Sequence, residues 1–166
     1  MDYLWSPWRY RYVTKLDPSS GCIFCIKAAE DKDAENYILY RGRRNFVLLN
    51  LYPYTNGHLM IAPYEHVATL TGAAQDTIEE MMRLSRQAES HLRTVYRPDG
   101  FNLGMNVGSS AGAGIAGHIH MHVLPRWTAD ANFMTTIGET RVMPEELPAT
   151  FEKLSKLPWG ERNEQK

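Results

Sequence analysis

Residues 117–125 run Gly117-His118-Ile119-His120-Met121-His122-Val123-Leu124-Pro125, and the strict alternation of imidazole with an apolar side chain admits few backbone conformations. A period of two is the pattern of an extended strand whose faces meet different surroundings. As a strand, the run places His118, His120 and His122 on one face over about 13 Å, at roughly 3.3 Å per residue. Ile119, Met121 and Val123 then face a core, so the pattern predicts a half-buried strand with its imidazole row turned outward. Imidazole serves as nucleophile, proton donor or metal ligand near neutral pH. The spacing suits a triple-histidine zinc centre with an open fourth position as well as it suits a nucleophilic histidine.

The remaining elements follow from periodicity and turn chemistry. Tyr37 to Tyr40, Phe46 to Leu51 and His58 to Ala62 read as three strands of a meander, separated by Arg41-Gly42-Arg43 and Pro53-Tyr54-Thr55-Asn56-Gly57. From Asp76 to Tyr96 the apolar positions step by three and four, which predicts one long helix, and Asp76 with Glu79 resembles a capping box. Pro98-Asp99-Gly100 ends it. Phe101 to Val107 and His118 to Leu124 supply two more strands, Met134 to Val142 a further one, and Pro148 to Leu157 a final short helix. Leu4 to Val13 reads as a short aromatic helix, with Ser6 as N-cap and Pro7 in its first turn, covering the core or a dimer contact, or else stacking on bases. The expected fold class is α+β, an antiparallel sheet of about five strands with helices on one face.

At 166 residues the chain fits one domain with an ordinary core. A formal net charge of −1 gives no global attraction to nucleic acid or to an anionic membrane, leaving at most a local basic patch at Arg41, Arg43 and Arg44. No apolar run approaches the roughly 20 residues of a membrane span, and the start of the chain lacks a signal-peptide pattern, so the expected location is cytoplasmic. The two cysteines, Cys22 and Cys25, are too few and too close to staple a secreted fold.

Their two-residue spacing lets both thiolates reach one metal ion but supplies half of a tetrahedral site. His66, just after a strand, and His118 are available to complete it; a thioredoxin-like redox pair and two buried thiols are the alternatives. The stretch Gly108-Ser109-Ser110-Ala111-Gly112-Ala113-Gly114 is small enough to offer backbone N–H groups to phosphate, or is a plain tight loop; its closeness to His118 favours an anion pocket.

Together these motifs resemble the histidine-triad family of nucleotide hydrolases and transferases. The resemblance rests on His118 to Pro125, on Asn50 followed by Gly57-His58 and Ile61-Ala62-Pro63, and on Asn106 ahead of the glycine-rich loop, and it covers roughly residues 21–126. It implies a single histidine-triad domain over residues 1–166, with the aromatic N-terminal segment and the C-terminal extension packed on that core. His120 would attack the α-phosphorus, His122 would contact α-phosphate oxygens, His58 would support the site, and the carbonyl near His118 would hold His120 in the right tautomer. Asn50 would meet the ribose, and Asn106, Gly112, Ala113 and Gly114 the nucleotide. Members with the cysteine pair, galactose-1-phosphate uridylyltransferase relatives among them, bind a structural zinc, here through Cys22, Cys25, His66 and His118.

The flanking Trp5-Ser6-Pro7-Trp8-Arg9, Asn50-Leu51-Tyr52-Pro53-Tyr54, Pro125-Arg126-Trp127 and Asp130-Ala131-Asn132-Phe133 resemble the fragile-histidine-triad branch, which acts on diadenosine polyphosphates. The implied activity is nucleotidyl transfer from diadenosine tetraphosphate or triphosphate to inorganic phosphate or water, through a nucleotidyl-histidine. Alternatives are a nucleoside phosphoramidase and a nucleotide-binding signalling module. Gly114 departs from the Gln or Ser that many members carry there, and the smaller residue points to phosphorolysis. The family pairs as a homodimer that joins sheets and packs the long helices. Whether magnesium accompanies the substrate stays open at this level.

Overall fold

The computed structural model describes residues 21–128, 130–131, 133–138 and 142–160. Five strands form one antiparallel sheet in the order β1-β2-β3-β5-β4: β1 (Ile38–Arg41), β2 (Asn45–Leu49), β3 (Leu59–Pro63), β4 (Gly100–Gly104) and β5 (Met121–Arg126). The helices are α1 (Ile23–Ala29), α2 (Asp33–Asn36), the long α3 (Gln75–Tyr96), α4 (Phe133–Thr136) and α5 (Leu147–Ser155). The aromatic segment from Leu4 to Val13 lies outside the described residues.

The sheet is covered on both faces at its centre, over β2 and β3. Val47, Leu49, Leu59, Ile61 and Val123 pack with Met81, Leu84, Ala88 and Leu92 of α3 and Leu154 of α5. Alternate residues Ile38, Phe46, Leu48 and Ala62 face the other way and pack with Phe24 of α1. The two-residue period of the strands thus feeds two cores, and α1 covers part of the face that the sequence leaves to solvent. No described helix is long and apolar enough to cross a membrane.

Several boundaries move for definable reasons. β5 begins at Met121, three residues later than expected, because its ladder with β3 stops at Ile61↔Met121. The next β3 acceptor in use, the Pro63 carbonyl, takes the His118 ring N–H at 2.9 Å, and Pro63 has no N–H to give. Ile119 N–H turns instead to the Val67 carbonyl, 2.8 Å away. β2 ends at Leu49, since Asn50 Oδ1 accepts the Tyr52 N–H at 2.9 Å in an Asx-type turn. The expected strand from Met134 is replaced at its start by the helical turn α4, while residues 139–141 lie outside the described residues.

No capping box forms at α3. Ala74 is its N-cap; Asp76 pairs with Arg44 at 2.7 Å, and Glu79 accepts from Gln75 at 3.1 Å. The expected basic patch is dismantled in the same way, for Arg41 turns inward to the Ala28 and Glu30 carbonyls at 2.7 and 2.6 Å and to Asp33 at 2.9 Å. That guanidinium satisfies the carbonyls at the end of α1 and ties the helix to β1.

Glu80 joins α3 to the β1–β2 turn. Its buried carboxylate accepts the main-chain N–H groups of Arg43, Arg44 and Asn45 at 3.0, 2.6 and 2.8 Å, and the Asn45 amide at 3.1 Å. Burial pushes its pKa up, but these donors outweigh burial and hold it below the usual carboxylate range. A Cβ on Gly42 would stand 2.8 Å from the Asn45 carbonyl, so the turn closes only around glycine. Replacing Glu80 with Ala strands these donors and is expected to cost about 3 kcal/mol, read as a lower urea midpoint with unchanged slope.

Candidate active site and metal centre

The three histidines do share one face, but that face is covered. His118 and His120 are 1% and 5% exposed, lying beneath α1, with the Phe24 ring centroid 5.2 Å from one imidazole and 4.8 Å from the other. Burying an imidazole disfavours its charged form, and His118, His120, His122 and His58 all have depressed pKa values for which burial is the largest cause.

Hydrogen bonds fix each tautomer, because a carbonyl can only accept and a main-chain N–H can only donate. His118 donates from Nε2 to the Pro63 carbonyl at 2.9 Å, which leaves Nδ1 as its lone-pair nitrogen. His120 donates from Nδ1 to the His118 carbonyl at 2.9 Å, which leaves Nε2 basic. The Tyr54 N–H donates to His58 Nδ1 at 3.1 Å, so neutral His58 carries its proton on Nε2 and gives it to His122 Nδ1, 2.9 Å away. His122 is thereby left with a proton on Nε2. An unprotonated nitrogen on His120 and an N–H on His122 thus stand on adjacent same-face positions, their rings 4.9 Å apart.

Both line an open cleft, with Asn50, Asn106, Gly112 and Gly114 also on its wall. Ala113 is not among its lining residues. Asn50 has its amide oxygen engaged by Tyr52 and its Nδ2 3.3 Å from His58 Nδ1, so it also steadies the His58–His122 pair. Asn106 donates to the Gly112 carbonyl at 3.4 Å, bracing the glycine-rich loop, and Gly108 and Gly112 adopt φ of +84° and +85°. Gly57 has φ +72°, and a Cβ there would meet Leu92 at 2.9 Å, so glycine is needed immediately before His58.

Sequence reasoning left Phe24, Lys27, Met60, Tyr52 and Tyr54 out of the site, yet all line the cleft. The position of Phe24 between the two cysteines was a usable signal; Met60 alternates with two core residues and carried none.

Cys22, Cys25, His66 and His118 converge at the N-terminal end of α1, their ligand atoms all within 4.8 Å of one another. Sulfur-to-nitrogen separations are 3.4 Å for Cys22–His118, 3.3 Å for Cys25–His66 and 3.6 Å for Cys25–His118, each to Nδ1. A tetrahedral ion with bonds near 2.3 Å to sulfur and 2.0–2.1 Å to nitrogen has S···N edges of about 3.6 Å. The donor set therefore fits a four-coordinate metal, and His118 already presents the correct nitrogen because Pro63 holds the other proton. His118 thus converges with Cys22, Cys25 and His66 and not with His120 and His122, which argues against a triple-histidine catalytic metal. No Asp or Glu is among the described cleft-lining residues, so the protein offers magnesium no carboxylate there.

Residues 31–129 match the HIT domain family. A Mycobacterium tuberculosis protein named AP-4-A phosphorylase is 40% identical over 154 residues, covering 89% of this chain and 79% of that one. The Schizosaccharomyces pombe asymmetrical bis(5'-nucleosyl)-tetraphosphatase is 26% identical over 93 residues, 56% of this chain and 50% of that one. Among solved structures, a Zn-bound histidine triad family protein from Mycobacterium smegmatis superposes with a TM-score of 0.66 at 27% identity, over 82% of this chain and 92% of the other. The chain belongs to the HIT, or histidine-triad, family.

The buried pair sets an acid limit on stability. His58 and His122 have pKa values lowered to about 3 and about 4, by burial first and then by neighbouring histidines. Unfolded histidine titrates near 6.5. Above that pH neither state binds the protons; below it the unfolded chain takes them up while the folded pair refuses them, so stability is full above pH 6.5 and lost towards pH 4. Melting temperature should fall across this window, and less steeply in His58→Asn; parallel slopes would refute the neutral pair.

Proposed function

We propose that the protein is a dinucleoside-polyphosphate nucleotidyltransferase that works through a nucleotidyl-His120 intermediate and uses inorganic phosphate as acceptor. The observation that carries this reading is the His120 Nδ1–H bond to the His118 carbonyl, which leaves the opposite nitrogen basic on the wall of an open cleft. Its lone pair forms an N–P bond to the α-phosphorus, and the P–O bond to the departing nucleoside polyphosphate breaks. His122 Nε2–H is positioned to donate to an α-phosphate oxygen, where charge accumulates, while His58 holds that ring in the donor tautomer. In the second half, a phosphate oxygen bonds to phosphorus and the N–P bond breaks, so one difficult displacement becomes two easier ones. Asn50 serves the ribose, and Asn106 with Gly112 and Gly114 the phosphate chain; Ala113, off the cleft wall, sets the loop path.

Phosphate as acceptor is favoured over water by the name of the 40%-identical mycobacterial relative and by the absence of a side chain at Gly114. Diadenosine tetraphosphate incubated with phosphate should give ADP and ATP, with AMP and ATP if water replaces phosphate. His120→Ala should lower turnover by at least about a thousandfold, consistent with losing a covalent nucleophile. Absence of turnover in the wild type would sink the proposal.

The metal in this reading is zinc, held by Cys22, Cys25, His66 and His118. With all four positions filled by protein it supplies structure and no chemistry. Purified protein should contain about one zinc per chain by mass spectrometry, and a chelator strong enough to remove it should lower the melting temperature, with zinc restoring it.

The working form in this reading is a cytoplasmic homodimer of single-domain chains. β4 is an edge strand whose outer side is unpaired among the described strands, and Leu103 on it and Met82 on α3 are 42% and 53% exposed. Isologous pairing would extend the sheet and cover both. Light scattering should give twice the chain mass, and Leu103→Lys should shift it towards the monomer.

A further inference from the structure

Lys27 is out of place in its surroundings. It is 7% exposed on the inner face of α1, and it is the one Lys, Arg, Asp or Glu among the described residues lining the cleft. The apolar residues that line this cleft with it are Ile23, one turn earlier on the same helix face, Phe24, Leu48, Met60 and Ile115 among others. An ammonium has three N–H donors. Two are taken by one residue, the Asn36 carbonyl at 3.1 Å and the Asn36 side-chain oxygen at 3.0 Å. No described carboxylate forms a salt bridge with it; burial pushes its pKa down, partly offset by the charge of Glu30, which accepts from the Asn36 amide at 2.7 Å.

The location of this ammonium separates it from the phosphate chemistry. Asn36 precedes Tyr37, whose carbonyl accepts the Leu49 N–H at 3.0 Å, so the lysine is anchored at the β1 edge of the sheet. His122 stands on β5, three strand spacings away in the order β1-β2-β3-β5, or about 14 Å at roughly 4.8 Å each. A nucleotide with its α-phosphorus at His120 therefore lays its nucleoside towards Lys27, over the apolar floor of Leu48 and Met60. A base edge brought into such a slot loses water, and each acceptor atom on it needs a protein donor.

We propose that Lys27 is a specificity-determining residue whose third N–H donates to an acceptor atom on the edge of the base seated in this slot. The inference rests on the nucleotide-transfer reading of the same site and adds to it how one base is told from another. Discrimination by such a group is strong, because a base lacking the acceptor leaves a buried ammonium donor unpaired.

The test is calorimetric titration of the zinc-loaded protein with AMP and with its 1-deaza, 3-deaza and 7-deaza analogues, each replacing one ring nitrogen by C–H. The expected result is that one analogue binds the wild type about tenfold or more weakly than AMP while the others bind like AMP. Lys27→Met should bind AMP as weakly as that analogue and no longer separate the two, with zinc content unchanged. Lys27→Gln keeps a neutral donor and provides a second variant should the first not fold; it should narrow the preference. Equal binding of all four ligands by the wild type, or discrimination that survives in either variant undiminished, would overturn the assignment. No binding of AMP or of any analogue would overturn the nucleotide reading itself, an outcome distinct from binding without discrimination.

Discussion

His118 is the residue on which both chemical centres depend. Its ring presents Nδ1 to the cysteine pair, its Nε2–H is held by the Pro63 carbonyl, and its own carbonyl holds the Nδ1–H of His120. One residue therefore sets the geometry of a candidate metal ligand and the tautomer of the proposed nucleophile. Phe24 provides a second link, its ring packed on both imidazoles from a helix whose N-terminal end carries the cysteines. Arg41 secures the other end of that helix. The roof over His118 and His120 is thus held at both ends, by the cysteine–histidine cluster and by a guanidinium.

That roof has an electrostatic consequence. Imidazoles exposed on a sheet would titrate near 6.5 and spend part of their time charged at neutral pH. His58 and His122 lie against the Tyr54 ring, burial favours their neutral forms, and directed hydrogen bonds determine which nitrogen of each carries the proton. A basic nitrogen on His120 and a proton donor on His122 are thus obtained from two chemically identical side chains without either being charged, which suits a site that must admit a polyanion and break a bond within it.

Much of this was legible in the chain. The alternation from His118 to Val123 placed Ile119 and Val123 in the main core and the histidines opposite, as the structure has them. The spacing of Cys22 and Cys25, with His66 and His118 as partners, named the four residues that converge. Other features were closed to such reading. The histidine row looked solvent-facing because nothing in a two-residue period says whether another element covers the polar face, and here α1 does. Asp76 and Glu79 had the form of a capping box, but Arg44, brought from a distant turn, competes for Asp76. Glu80 sits beside them in sequence with no distinguishing mark, and only contact with the β1–β2 turn makes it a junction.

The sequence by itself determined which residues could do chemistry and on which side of the sheet they lie, because side-chain type and backbone periodicity are local properties. Tertiary structure alone decided their states: which histidine turns to the metal centre and which to the cleft, where each proton sits, and how a lysine comes to be buried among apolar residues at the far end of that cleft. Those states depend on donors, acceptors and low-dielectric surroundings contributed by residues well away in sequence, such as Pro63, 55 positions from His118, and Asn36, nine positions from Lys27. Hydrogen-bond partnership and desolvation act through space, so they come into being only when the chain has folded.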